Sequence, residues 1–195
     1  MKGKKMFSIW YAVNVFLIAT IISFLEIQIE GKDGWAKNLP CWRANKADKD
    51  RLIIKIYSWF QGGKEVTGYH LALNTLEVAI FHFPFFAGTS WNIVKELQIL
   101  SSLPLFWTFQ DFTWFVWNPF YGLKKFNQQA IWWHKKWIGP IPTDYLIGLA
   151  SSGMFVLAAA AIEGSKIFIW WTATLAILIG LTLVSCAIQT IKSRA

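Results

Sequence analysis

Residues 69–88, YHLALNTLEVAIFHFPFFAG, set the terms for the rest of the chain. The stretch is apolar enough to cross a bilayer, which takes about 20 mostly apolar residues. Yet it carries His70, Asn74, Glu77 and His82. Ionisable groups inside a span are costly, and they face a bundle interior or a wet cavity rather than lipid. At about 100° per residue, His70, Asn74 and Glu77 share one narrow helical face, which Phe81 continues. His82 sits about a third of a turn away. Such a stripe needs partners on other helices, so the chain reads as an all-α, polytopic membrane protein.

Composition agrees. The 195 residues are 55% hydrophobic and 17% aromatic, with a mean hydropathy of +0.38, which is more apolar than a soluble domain of this length. The thirteen tryptophans suit a protein anchored at membrane interfaces. A net charge of +8 suits contact with anionic headgroups. Nucleic acid is excluded as a partner because the charges sit in loops between spans. Cys41 and Cys186 form no disulfide framework. The N-terminal MKGKK and its apolar run resemble a signal peptide, but the run continues to about Ile29 without a small-residue cleavage site and is read as a retained span.

The chain forms one transmembrane domain, residues 1–195, with about five spans near 6–25, 69–88, 97–117, 145–162 and 167–191. Two polar loops, 31–68 and 120–143, separate them. Each loop is expected to hold an interfacial amphipathic helix. In the first, 48–61, the residues Ile53, Ile56, Tyr57 and Phe60 recur at helical spacing until Gly62-Gly63. In the second, 123–137, they are Leu123, Phe126, Ala130, Trp133 and Trp137, with His134 on the same side. Pro84 and Pro104 are expected to kink or stop their helices. Asn118-Pro119 closes the third span, and Thr143 or Asp144 caps the fourth.

With five spans, fourteen of the nineteen Lys and Arg fall on the side of the two polar loops and the C-terminus. Lys2, Lys4, Lys5, Lys95 and Lys166 fall on the other. The positive-inside rule then places the loops and the C-terminus in the cytoplasm of a cell-membrane protein and the N-terminus outside. Glu26, Glu30, His70, Asp111, His134 and Asp144 converge at the basic end, with Glu77 about 10 Å deeper than His70 at 1.5 Å per residue.

That convergence points to a membrane-embedded enzyme acting on a lipid or amphipathic substrate. Carboxylates and imidazoles in a dry pocket ligate a divalent metal or work as general acid and base. The catalytic candidates are Glu77, His70, His134 and Asp111, and the metal candidates are Glu26, Glu30 and His70. Membrane lipids and an apolar small molecule are the expected partners. No HExxH, CxxC, GxSxG or glycine-rich phosphate loop is present to fix the reaction. Two other readings share the residues: a non-enzymatic apolar-ligand binder, and a proton or ion relay along His70, Asn74, Glu77 and His82. For His82, Asn14 and Asn74, pairing between helices is the simpler role.

Overall fold

The computed structural model describes residues 9–193. Residues 6–8 of the first predicted span, and Lys2, Lys4, Lys5 and Arg194, lie outside them. Five long helices dominate: α1 (Ile9–Glu30), α4 (Gly68–Phe86), α5 (Ile93–Trp117), α6 (Thr143–Glu163) and α7 (Lys166–Lys192). Between α1 and α4 lie α2 (Lys46–Asp50) and α3 (Leu52–Phe60). A two-stranded hairpin, β1 (Trp137–Ile138) and β2 (Ile141–Pro142), precedes α6.

Local chemistry sets the ends. Thr67 caps α4, its Oγ1 accepting from the His70 N–H at 3.2 Å, and Asn92 caps α5, its Oδ1 accepting from the Lys95 N–H at 2.9 Å. Asn118 ends α5 and Pro119 follows it, as the sequence implies. Pro84 and Pro104 lie inside α4 and α5 and end neither. Pro142, not Thr143 or Asp144, stands at the cap of α6, because Asp144 turns inward to other partners.

α5 is the hub, packed on α1, α4, α6 and α7, while α7 also packs on α1 and α6. The outer helices are built inside out. α6 buries Gly148, Ser152, Val156 and Ala159 and exposes Leu149, Met154, Leu157 and Ile162. α7 buries Ile167, Thr174, Leu178, Thr182 and Ser185 and exposes Ile169, Leu183 and Ile191. Small and hydroxyl residues at most buried positions, with large apolar residues outward, is the pattern of helices that face lipid. By length and apolar content, α1, α6 and α7 are able to cross a membrane, consistent with a membrane protein. α4 and α5 match predicted spans but fall short of that apolar standard, because polar side chains such as His70, Glu77, Gln98 and Asp111 interrupt them.

The first predicted interfacial helix is present in two pieces. α2 carries a capping box between Asn45 and Asp48, and extended backbone at Arg51 separates it from α3. α3 exposes Leu52, Ile53, Ile56 and Trp59. The second is absent. Residues 123–137 form only a 3₁₀ turn at Leu123–Lys125, then loop and the start of the hairpin. Left-handed Gly122 breaks the chain before it, and the Asn127 side chain accepts from the Gln129 and Ala130 N–H groups to make a turn. The aromatic residues that mimic a helical stripe instead fold inward. Ile131 and Trp133 pack with Ile27, Trp35, Trp114 and Phe115 in a core beneath the α1 and α5 ends. Trp35, Trp114 and Trp133 are therefore core residues rather than interface anchors.

Candidate active site

A cavity of about 480 Å³ lies between α1, α3, α4, α5 and α6. Its polar end draws on two clusters.

The first joins α1 to α4. Glu26 and Glu30, one turn apart, face His70, and one ligand atom from each lies within 4.8 Å of the others. Each side chain is held from behind. The Gln110 amide donates to Glu26, and the Ala36 N–H donates to Glu30 Oε1 at 2.6 Å. Thr67 Oγ1 lies 2.7 Å from His70 Nδ1, leaving Nε2 to face Glu30 Oε1 at 3.3 Å. The Trp35 ring stacks on the imidazole at 3.7 Å between centroids. To reach it, Trp35 and Ala36 adopt left-handed backbone, φ 45° and 48°. Such conformations cost about 1–3 kcal/mol each and persist only where the surroundings impose them. Here the Trp35 indole N–H donates to the Glu65 carbonyl at 2.8 Å, and Arg43 binds the Ala36 carbonyl.

The second cluster joins α5, α6 and both loops. Lys64 Nζ lies 2.9 Å from Asp144 Oδ2 and 3.3 Å from Asp111 Oδ1. His134, with its side chain fully enclosed, bridges the same two carboxylates through Nδ1 at 2.9 Å and Nε2 at 3.2 Å. The Tyr145 hydroxyl donates to Asp111. Burial draws the Lys64 ammonium down, but Asp111 and Asp144 outweigh it and leave its pKa above the ordinary lysine value.

Deeper in, Glu77 Oε2 accepts from the Trp107 indole N–H at 2.7 Å and from the Asn74 amide at 3.1 Å. Tyr57 of α3 donates to Asn74 Oδ1 at 2.6 Å, which ties α3 over the cavity.

Glu26, Glu30, His70, Glu77 and Asp111 all line this cavity, and His134 stands directly behind Asp111. His82 does not join them; its Nε2 meets Glu96 at 3.1 Å on α5, toward the end away from the cavity's polar groups. Sequence reasoning missed Trp35, Lys64, Trp107 and Tyr145. Lys64 reads as a loop charge and Trp35 as an interface anchor, and no signal in the sequence moves either inward.

Fold and site together define a helical protein of membrane character whose internal cavity is apolar along most of its wall and ionisable at one end. No protein-family model, curated protein or solved structure matches the chain.

Proposed function

We propose that this protein is a five-span membrane enzyme that uses a divalent metal to act on a lipid or other amphipathic substrate at the cytoplasmic interface. The observation that carries the reading is the convergence of Glu26, Glu30 and His70, each fixed by its own outer partner, at the polar end of an otherwise apolar cavity. Outer partners that orient ligands are what metal sites require. Two carboxylates and an imidazole suit Zn²⁺, Mn²⁺ or Fe²⁺. Three protein ligands leave positions open for water and a substrate oxygen, as catalytic sites do. The metal would polarise that oxygen or activate the water. Glu77, held in the cavity wall, and the Asp111–His134 pair are the acid and base groups placed to exchange protons with the reacting atoms.

The apolar helices support insertion, and the lysines and arginines of the two loops support a cytoplasmic polar end. Membrane-impermeant maleimide should label Cys41 in inverted vesicles and not in right-side-out ones. The converse pattern reverses the orientation.

The central test is metal content of the detergent-purified protein beside a Glu30→Ala/His70→Ala variant. Near-stoichiometric metal in the wild type, lost in a variant that elutes and melts as a folded protein, supports the reading. A wild type that stays metal-free after incubation with Zn²⁺, Mn²⁺ and Fe²⁺ refutes it.

A further inference from the structure

We infer that the substrate is an amphiphile with a hydrocarbon chain of medium length, about nine bonds beyond its head, seated in an apolar arm of the cavity on the α4-facing side of the packed α5 and α6 pair. The inference rests on the enzyme reading of the same cavity and adds the class of substrate.

The arm is measured along the helices. Asp111 of α5 and Asp144 of α6 both reach Lys64 Nζ, so they mark one level, the polar end. From there α5 runs back to Leu100 and α6 runs on to Phe155, eleven residues in each case, and both side chains line the cavity. Eleven residues advance about 16 Å along a helix. The two helices stay in register over that depth. Ser101 Oγ lies 3.1 Å from Ser152 Oγ, and Gly148 closes on Thr108 and Pro104. The deepest ionisable group in the wall is Glu77, pinned to Trp107, four residues inward from Asp111. Past Trp107, the α5 and α6 lining is Leu103, Pro104, Leu100 and Phe155, with no polar side chain. That leaves seven residues of α5, about 10 Å. An extended chain advances about 3.5 Å per three bonds, so about nine bonds fill the arm.

The head then occupies the zone between His70 and Glu77, seven residues and about 10 Å along α4. A way in lies beside α3. Phe60 packs edge-on to Trp107 at 5.7 Å, while Ile53 and Ile56 line the cavity yet remain 73% and 56% exposed. These exposed apolar side chains give a hydrocarbon chain its way in.

Fit, rather than burial, must set the preference. A chain in the bilayer is already in hydrocarbon, so entering the arm brings no hydrophobic gain. A chain too short leaves a void, at about fivefold in affinity for each methyl-sized gap. A chain too long must bend or overpack. Occupancy should therefore peak at one length.

The experiment uses the full-length protein reconstituted in phosphatidylcholine vesicles. These carry an equimolar mixture of saturated monoacylglycerols of about eight to about eighteen carbons. The protein is re-isolated, and its retained monoacylglycerols are quantified by mass spectrometry. Wild type should enrich chains of about ten carbons at least fivefold over the longest. Phe155→Ala should move the maximum to longer chains, and Leu100→Trp to shorter ones, in protein that still elutes as a single species. A profile matching the bulk mixture overturns the inference, as does a maximum that neither variant moves. Metal content of the same samples separates the two claims. Bound metal with a flat profile defeats the chain site alone, and a peaked profile without metal defeats the metalloenzyme reading while supporting the arm.

Discussion

Replacing Lys64 with Met should destabilise the protein more than any other single change outside its apolar core. The Lys64 side chain is 6% exposed, and its two carboxylate partners lie at 2.9 and 3.3 Å. At an effective dielectric of about 20, each contact supplies about 5 kcal/mol of Coulomb attraction. Desolvation of the ammonium takes back several kcal/mol of that. Removing one partner of a buried pair leaves the other charge uncompensated, a loss of about 3–5 kcal/mol. For a chain of this size that is a fall in melting temperature of about 10 °C. Thermal unfolding in detergent, followed by tryptophan fluorescence, reads it directly. The pH dependence has a fixed sign. The folded pKa of Lys64 lies above its ordinary value, so its stabilisation is fully present below about pH 10 and is lost only as pH climbs through the folded pKa. A second variant isolates the charge term: Lys64→Met/Asp144→Asn removes one of the stranded carboxylates and should recover more than half of the loss. A fall of under about 2 °C for Lys64→Met, or a double variant no more stable than the single one, would refute the buried pairing.

Gly148→Ala should lower stability by about 1–3 kcal/mol. The new Cβ would sit 2.5 Å from Thr108 Oγ1 and 3.2 Å from the Pro104 carbonyl oxygen, where α5 and α6 meet. Thr108 cannot swing aside without losing its 2.9 Å bond to that carbonyl, so adding Thr108→Ala should restore part of the melting temperature. His82→Ala breaks a half-buried contact to Glu96 remote from the cavity's polar end. It should shift stability by less than about 1 kcal/mol and leave metal content unchanged; a metal loss there would show that the site extends further along α4 than its geometry indicates.

The stripe on α4 was legible because a helical period is a property of sequence alone. His70, Asn74 and Glu77 share a face in any helix, and all three line the cavity. Glu26 and Glu30 were legible for the same reason, one turn apart at the end of an apolar run. The period misled at residues 123–137, where a wheel drawn through Leu123, Phe126, Ala130, Trp133 and Trp137 looks amphipathic. A wheel tests which residues would share a face if the helix formed, and Gly122 and Asn127 keep it from forming. His134 still ends buried, but it is a loop that carries it to Asp111 and Asp144. Trp35 was unreadable for a different reason. Its position over His70 needs left-handed backbone at two non-glycine residues, which local preference opposes and only tertiary contacts impose. Lys64 was counted among the solvated loop lysines because nothing nearby in sequence announces that its partners come from α5 and α6.

The two halves of the polar end differ in how their charge closes, and this bears on where the proposed metal would sit. Asp111 and Asp144 are met by Lys64 and His134, two acids by two basic side chains, all within 3.3 Å of a partner. That cluster can reach neutrality with the chain's own groups. Among the described residues, Glu26 and Glu30 have His70 as their one basic neighbour in the cluster, and Glu77 has no ion pair. Their remaining contacts are the Gln110 and Asn74 amides, the Ala36 N–H and the Trp107 indole, neutral donors that orient a carboxylate without balancing it. Buried carboxylates left in that condition take up protons or a cation. A divalent ion at Glu26, Glu30 and His70 brings the two positive charges that this half lacks and the other half does not. On the proposed metalloenzyme reading, the metal would therefore sit on the α1–α4 side, with Glu77 and the Asp111–His134 pair left to exchange protons.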